Sequence, residues 1–330
     1  MSKNIRVIQY GLGPIGCATA KLIDERDGLE LVGGVDIDPQ KIGRDVGEVI
    51  GVGKRGMVVA KTLDEVLQEA SADVVMHTTA SYFDLFKNQI LEILDGGLDV
   101  VSTSEELSFP WLANDQHGKE IDAAAKRAGK SVMGTGVNPG FLMDSLPLFL
   151  TSICQAVSGI SVARRINAST RRGPFQAKIG SGMSVDAFNK KMAEGRMGHV
   201  GLPESMGMLF DTLGRKLAKY EASVEPVVAD VLTKTAHFEV QPGMVKGLHQ
   251  AAHGYTEDGK FAALTFTAAL DLNNEGETIL IHGKPELEIK TKGTNGDIAT
   301  VAIAVNAIRR IHAAAPGLFT MRDLPIVTAW

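Results

Sequence analysis

Two adjacent glutamates, Glu105 and Glu106, follow the apolar segment 99–103, which the sequence predicts to be a buried strand. Carboxylates are seldom placed at the end of a buried strand, because an unpaired charge removed from water costs free energy. In such a place a carboxylate can move a proton beside a bound substrate. Two neighbouring side chains diverge, so we expect one of the pair to face the reaction centre. A solvated pair at a helix start is the structural alternative, since acids favour helix N-termini.

A glycine-rich turn precedes this pair in the chain, between a predicted strand at residues 5–10 and a predicted helix at about 15–26. Its G-x-G-x-x-G spacing is typical of dinucleotide binding. The first glycine permits the tight turn, the second lets the pyrophosphate approach, and the third lets the helix contact the strand. The helix N-terminus supplies N–H groups for phosphate. The predicted cofactor contacts here are Gly11, Leu12, Gly13, Pro14, Ile15 and Gly16.

Asp36 ends the second predicted strand, twenty residues beyond Gly16. A carboxylate in this position accepts hydrogen bonds from the adenosine ribose and repels the additional phosphate of NADP, so Asp36 favours NAD. Asp38 adds to that preference, whereas Lys41 and Arg44 oppose it. The predicted cofactor is therefore NAD(P), with NAD favoured and NADP open.

Two further segments follow predicted strands and are expected to line the cofactor. Residues 77–81 end the strand at 72–77, and residues 134–141 follow the strand at 131–134. The second segment combines glycines with a proline-fixed bend, which suits backbone that approaches a flat ring. The predicted contacts are Thr78, Thr79, Ala80, Asn138 and Pro139.

Strands and helices alternate over residues 1–140, and this pattern predicts an α/β fold with a Rossmann-type, doubly wound parallel sheet. After an expected apolar helix over 142–156, the alternation between 223 and 292 predicts a second, α+β domain with a mostly antiparallel sheet. We assign residues 1–140 to the nucleotide-binding domain and 141–330 to a substrate-binding and dimerisation domain. The helix expected at 297–313 packs back on the first domain.

The composition excludes several other classes of protein. A length of 330 residues suits two domains, and the net charge of -5 argues against nucleic-acid binding. With only Cys17 and Cys154, a disulfide framework is not expected. We read no signal peptide and no membrane-spanning run, so the expected location is the cytoplasm. His249 and His253 lack the intervening glutamate of H-E-x-x-H and a third ligand, so no metal site is predicted.

Several motifs together resemble one enzyme family. The glycine turn, STSEELSFP at 102–110 and GTGVNPGFLMD at 134–144 occur in order, followed by GHVGLPES at 198–205 and GLFTMRDLP at 317–325. This set is similar to the 2,4-diaminopentanoate dehydrogenases and the related native amine dehydrogenases, whose N-terminal domain is of the dihydrodipicolinate reductase type. The resemblance spans most of the chain.

The resemblance implies NAD(P)-dependent oxidative deamination of an amine, reversible as reductive amination of a ketone or aldehyde with ammonia. It also implies that one glutamate of the pair is catalytic. Homoserine dehydrogenases are more distantly similar and carry a lysine at the end of the equivalent strand. Superposing their valines on Val100 and Val101 puts Glu105 at that lysine's place, so we favour Glu105 over Glu106.

The substrate pocket is less defined by sequence. Phe141, Met143 and His199 are candidates to line it, and Arg164, Arg165, Arg171 and Arg172 are candidates to hold a substrate carboxylate. A reductase of a C=N or C=O acid substrate is the alternative function, and a non-catalytic NAD-binding sensor is a third. The second-domain sheet predicts a homodimer.

Overall fold

The computed structural model describes residues 4–195 and 197–330. The chain forms two compact units: the first ends at Phe141 and resumes over Asn295–Trp330, and the second is Leu142–Thr294. The strands are β1 Ile5–Tyr10, β2 Leu29–Val35, β3 Val59–Ala60, β4 Val74–His77, β5 Asp99–Ser102, β6 Ser131–Gly134, β7 Ala156–Asn167, β8 Lys219–Val228, β9 Thr233–Lys234, β10 Glu239–Val240, β11 Val245–Thr256, β12 Gly259–Ala269, β13 Gly276–Lys284, β14 Leu287–Lys290 and β15 Gly317–Phe319.

Capping residues mark some of the helix ends. Asn295 caps the last helix through the amides of Asp297 and Ile298, and Gly129, at φ 66°, ends the fifth. The helices are α1 Pro14–Glu25, α2 Val46–Val49, α3 Leu63–Glu69, α4 Phe83–Asp95, α5 Asp115–Ala128, α6 Ser145–Leu150, α7 Gly173–Lys178, α8 Val185–Ala193, α9 Leu202–Thr212 and α10 Gly296–His312, with short 3-10 helices at Glu105–Ser108 and Thr151–Ile153. Within residues 4–195 and 197–330, no helix is long and apolar enough to cross a membrane.

The first unit contains a seven-stranded sheet in the order β15-β6-β5-β4-β1-β2-β3, with every pairing parallel. Successive strand residues enter opposite cores: Val100 packs with α4 and α5, and Val101 packs with α1 and α10. Both faces are thus covered, which explains the continuous apolar runs in these strands. The predicted Rossmann fold is confirmed.

The end of the chain differs from the predicted division into domains. Helix α10 lies in the first unit, where Ala304, Val305 and Ile308 are fully buried. Residues 314–330, which the sequence division placed in the second domain, also belong to the first unit. The reason is β15, whose three residues pair in parallel with β6 at the sheet edge. A strand of three residues is too short to give a clear sequence pattern.

The second unit contains a six-stranded sheet in the order β14-β13-β7-β12-β11-β8. Its pairings are antiparallel except for β7 with β12, so the predicted α+β architecture is confirmed. The long helix expected over 142–156 is wrong: α6 ends at Leu150, a 3-10 turn follows, and β7 begins at Ala156. The helix cannot continue because the chain pairs with β13 from Ala156 onward. One residue earlier, the Gln155 amide already donates to the Lys284 carbonyl at 2.7 Å.

Candidate active site

The glycine turn joins β1 to α1 in a form that depends on its glycines. Gly11 has φ +90°, and a Cβ there would lie 2.7 Å from the Thr78 carbonyl oxygen. A Cβ on Gly16 would lie 1.9 Å from the Gly11 oxygen, whereas a Cβ on Gly13 would meet nothing within 4 Å. Gly13 therefore borders open space at the start of α1, where no side chain caps the helix. This is a cradle that a phosphate can enter.

A buried polar network supports the turn, and sequence reasoning missed it. Gln9 is fully buried in β1, and its side-chain amide donates to the Gly11 carbonyl at 2.9 Å and to Thr78 Oγ1 at 2.8 Å. Its Oε1 accepts from Thr19 Oγ1 at 2.7 Å, while Thr78 Oγ1 donates to the Gly11 carbonyl. The available signal was a glutamine inside an otherwise apolar strand, because a buried amide needs partners.

Asp36 follows β2 and is bound from three sides. Its carboxylate accepts from the Leu12 amide at 2.7 Å, the Asp38 amide at 2.8 Å and Lys41 Nζ at 3.2 Å. Burial acts to raise the pKa of Asp36, but these hydrogen bonds and the Lys41 charge together hold that pKa below its ordinary value. Asp36 is therefore ionised at neutral pH. Lys41 Nζ also lies 3.4 Å from the Asp38 carboxylate. The lysine that could favour NADP is therefore paired with both aspartates that favour NAD.

Glu105 and Glu106 are the first two residues of the 3-10 helix Glu105–Ser108, and their surroundings differ. Glu106 Oε2 accepts from the Phe83 amide at 2.7 Å and so caps the N-terminus of α4. Burial, with the nearby charges of Asp84 and Glu105, raises the pKa of Glu106 despite that hydrogen bond. Glu105 is partly exposed. A Cβ on Gly134 would lie 2.4 Å from the Leu107 carbonyl carbon, so the 3-10 helix rests directly on the end of β6.

Residues 134–141 lie beside the end of β5, as the parallel sheet requires. The Thr135 amide donates to the Ser102 carbonyl at 2.8 Å. Asn138 is buried and precedes Pro139 through a cis peptide. Gly140 has φ +121°, and a Cβ there would lie 2.6 Å from the Gly136 nitrogen. The turn, Asp36, residues 78–80, the glutamates and this segment thus all follow the carboxyl ends of parallel strands, where dinucleotide-binding sheets hold their ligands.

The substrate-pocket candidates fall in both units. Phe141 is 37% exposed at the end of the first unit. In the second unit Met143 is fully buried, and the His199 ring stacks on Phe266 with centroids 4.7 Å apart. The Gln250 side chain holds the His199 backbone, accepting from its amide at 2.7 Å and donating to its carbonyl at 3.0 Å. Their predicted role in substrate binding stays a prediction.

The arginine candidates have other partners. Arg164 is buried and lies 3.3 Å from the buried Glu277, and burial lowers the pKa of the Arg164 guanidinium. Arg165 donates to the carbonyls of Asn273 and Asn274, and Arg171 stacks on Phe175 at 4.7 Å. Arg164 in particular is committed to an ion pair within the sheet of the second unit, and removing its partner would leave a buried charge.

His77, at the end of β4, is fully buried among polar partners. Burial lowers the pKa of His77 from 6.5 to about 4. As the pH falls, the unfolded chain therefore takes up the proton first, and the stability that neutral His77 contributes is lost between about pH 6.5 and pH 4. We expect about 3 kcal/mol of this acid sensitivity to disappear in His77→Asn. Urea unfolding of the unaltered chain and of His77→Asn at pH 7 and pH 4 measures this difference. If both proteins lose the same unfolding free energy between the two pH values, His77 is not the source of the acid sensitivity.

Comparison with known proteins identifies relatives over the whole chain. The family model for the 2,4-diaminopentanoate dehydrogenase C-terminal domain matches residues 141–330, and that for the dihydrodipicolinate reductase N-terminus matches residues 5–95. The chain is 34% identical to 2,4-diaminopentanoate dehydrogenase of Acetoanaerobium sticklandii, over 99% of this chain and 95% of the relative. It is 23% identical to amine dehydrogenase of Streptomyces virginiae, over 98% and 96%.

A solved structure shows the same fold. The amine dehydrogenase from Mycobacterium smegmatis superposes with a TM-score of 0.87 at 23% sequence identity, over 99% of this chain and 98% of that chain. The match to the dihydrodipicolinate reductase N-terminus ends at residue 95, before the glutamate pair. The match to the diaminopentanoate dehydrogenase C-terminal domain begins at residue 141, after the pair, and continues to the last residue.

Proposed function

The chain belongs to the 2,4-diaminopentanoate dehydrogenase family, and from that premise we propose that it is an NAD(P)-dependent amine dehydrogenase. It converts an alkylammonium ion, water and NAD(P)+ into a carbonyl compound, ammonium, NAD(P)H and a proton, and it runs in reverse as reductive amination. The observation that carries the proposal is an acidic residue, Glu105, on the loop after β5 of a dinucleotide-binding sheet. A proton-moving group is needed there because hydride transfer at carbon is coupled to proton transfer at nitrogen.

The residues at the glycine turn fit a dinucleotide. Open space at Gly13 and the uncapped start of α1 suit the pyrophosphate, and the ionised Asp36 suits ribose hydroxyls. When bound, the nicotinamide supplies or removes the hydride at the substrate carbon. We propose that Thr78, Thr79, Ala80, Asn138 and Pro139 line the cofactor.

Glu105 would handle the protons of the reaction. As a carboxylate it takes a proton from ammonium, and the resulting ammonia attacks the substrate carbonyl to give a carbinolamine. As a carboxylic acid it then protonates the hydroxyl group, which leaves as water. The carboxylate that remains stabilises the iminium ion until the carbon is reduced. The balance is carbonyl, ammonium, NAD(P)H and one proton on one side, with alkylammonium, NAD(P)+ and water on the other.

We propose that NAD is preferred over NADP and that Asp36 decides it. Asp36→Ser removes the ribose acceptor and the charge that repels a phosphate, and leaves Lys41 to attract one. Hydrogen bonds to charged groups contribute about 1.5–3 kcal/mol, so the ratio of Kd(NADP) to Kd(NAD) should fall by at least about tenfold. Asp38→Asn, two residues away, is the control: it removes a charge that adds to the preference but leaves the ribose acceptor in place, so the ratio should fall clearly less than in Asp36→Ser. An unchanged ratio in Asp36→Ser would refute the role of Asp36.

The alternative, a reductase of an acid substrate, has less support. Its best carboxylate anchor, Arg164, is paired with Glu277, and the family model that covers the second unit is that of the diaminopentanoate dehydrogenases. The function is tested in the oxidative direction with 2,4-diaminopentanoate and simple alkyl amines. We expect NAD(P)H and ammonia in equal amounts from at least one amine. No release of ammonia from any of them would count against the proposal, and the preferred amine identifies the substrate class.

The homodimer and the cytoplasmic location are further proposals. On β11, the buried residues Leu248, Gln250 and Ala252 alternate with the partly exposed His249 and His253. A sheet whose second face is only partly exposed in one chain suits packing against a second copy. Sedimentation of the full chain tests the dimer, for which a single species of monomer mass would be the contrary result.

A further inference from the structure

Two loops at the end of the parallel sheet are joined by hydrogen bonds. The first loop, residues 78–82, follows β4, and the second loop, residues 103–106, follows β5 and contains Glu105. Ser104 Oγ donates to the Ala80 carbonyl at 2.6 Å. The Glu106 amide donates to the Ser81 carbonyl at 3.3 Å. The position of the second loop therefore depends on the first.

His77 lies beneath both loops, and its partners define its tautomer. Gln89 Oε1 lies 2.8 Å from Nε2 and can only accept, so Nε2 carries the proton. Thr79 Oγ1, 2.9 Å from Nε2, gives its own proton to the same oxygen. Nδ1 is then an acceptor, and Ser102 Oγ donates to it over 2.9 Å. Because that hydroxyl proton is used, Ser102 Oγ accepts from the Ser104 amide at 3.1 Å.

The hydrogen bonds thus run in one direction, from the Ser104 amide through Ser102 to the imidazole of His77. Ser102 and His77 have no exposed surface, and Ser104 is 2% exposed. All three polar groups of Ser104 are hydrogen-bonded: its amide and hydroxyl as above, and its carbonyl, which accepts from the Leu107 amide at 3.2 Å. Ser104 immediately precedes Glu105, so this network sets the start of the backbone segment that carries the glutamate.

We propose that His77 and Ser102 are positioning residues for Glu105, which they hold at the end of β5 through the Ser104 amide. This inference rests on the proposed function, because it assigns the two residues to the same proton-handling step. A histidine in a buried strand is costly unless all its polar atoms are satisfied. An apolar residue at position 77 would satisfy packing equally well, but it would leave the Ser102 hydroxyl without its acceptor.

Ser102→Ala tests the role. It keeps the Cβ and leaves the Ser104 amide without its acceptor, so kcat should fall at least about tenfold while KM and the dinucleotide Kd change less than about twofold. The matched control is Ser131→Ala, a serine 2% exposed at the start of the adjacent strand β6, whose hydroxyl lies 3.2 Å from the Ala315 carbonyl. It should lose similar stability but retain kcat. Equal kcat in the two variants would overturn the positioning role.

Two measurements test the hydrogen-bond network separately from the proposed function. The ¹⁵N spectrum of His77 should show a proton on Nε2 and none on Nδ1 at neutral pH, whether or not the chain is an amine dehydrogenase. The opposite tautomer would overturn the network. His77→Asn, which keeps an acceptor oxygen near the place of Nδ1, should retain more turnover than His77→Leu; the reverse order would also overturn it. Normal turnover in Glu105→Gln would instead refute the proton-handling role of Glu105 and, with it, the positioning role, whereas failure to release ammonia from any amine would refute the proposed function.

Discussion

Replacing Glu105 with glutamine should lower kcat for amine oxidation by about 10²–10⁴-fold, the range that a positioned acid or base contributes. The amide is nearly the same size as the carboxylate, but it can neither take the proton from an ammonium group nor stabilise an iminium charge. The dinucleotide Kd and the unfolding free energy should stay close to those of the unaltered chain. Steady-state kinetics, cofactor titration and urea unfolding of the same preparation measure these quantities.

Glu106→Gln is the matched control because it removes the same charge one residue away. Glu106 already accepts the Phe83 amide at the start of α4, and a glutamine oxygen can accept it too. We therefore expect kcat within a few-fold of the unaltered value. If Glu106→Gln is inactive and Glu105→Gln is active, the catalytic role belongs to Glu106. If both retain full turnover, neither glutamate handles the proton.

Gly13→Ala should separate cofactor binding from folding. A Cβ at Gly13 meets nothing within 4 Å in the chain itself, and the backbone there is extended at φ -67°. The methyl group would instead occupy the space proposed for the pyrophosphate. Overpacking of this kind costs about 1–3 kcal/mol, which is roughly a ten- to hundredfold rise in dinucleotide Kd. The unfolding free energy should hardly change.

Gly16→Ala provides the contrast. Its Cβ would lie 1.9 Å from the Gly11 carbonyl oxygen, so the backbone must move and folding itself should be weakened. Calorimetry of the two variants with and without NAD distinguishes the effects. Unchanged NAD binding by Gly13→Ala would contradict the placement of the pyrophosphate at this turn.

The parallel sheet could be predicted because its strands and helices are short, regular and separated by clear turns. The glycine turn and Asp36 were likewise visible, since their roles depend on spacing along the chain. The different roles of the two glutamates could not be predicted from the sequence. Glu106 caps a helix whose first amide, that of Phe83, lies 23 residues earlier, and only the folded sheet brings the two together.

The other differences between the sequence prediction and the structure also come from contacts between residues that are distant in sequence. The helix expected to continue to residue 156 yields to β7 because pairing with β13 outweighs local propensity. The network around Gln9 and His77 depends on partners that are distant in sequence, so a polar residue in an apolar strand signals only that partners exist. The sequence offered Arg164 as a candidate to bind a substrate carboxylate, but in the structure Arg164 is paired with Glu277, much later in the chain.

The dependence of NADH consumption on ammonium tests the central claim most directly. The full chain is mixed with NADH and a panel of ketones and aldehydes, and the ammonium concentration is varied at constant ionic strength. We predict that consumption requires ammonium, saturates with it and yields the amine in equal amount. Consumption that is independent of ammonium and yields an alcohol, or no consumption with any carbonyl compound at any ammonium concentration, would contradict the account.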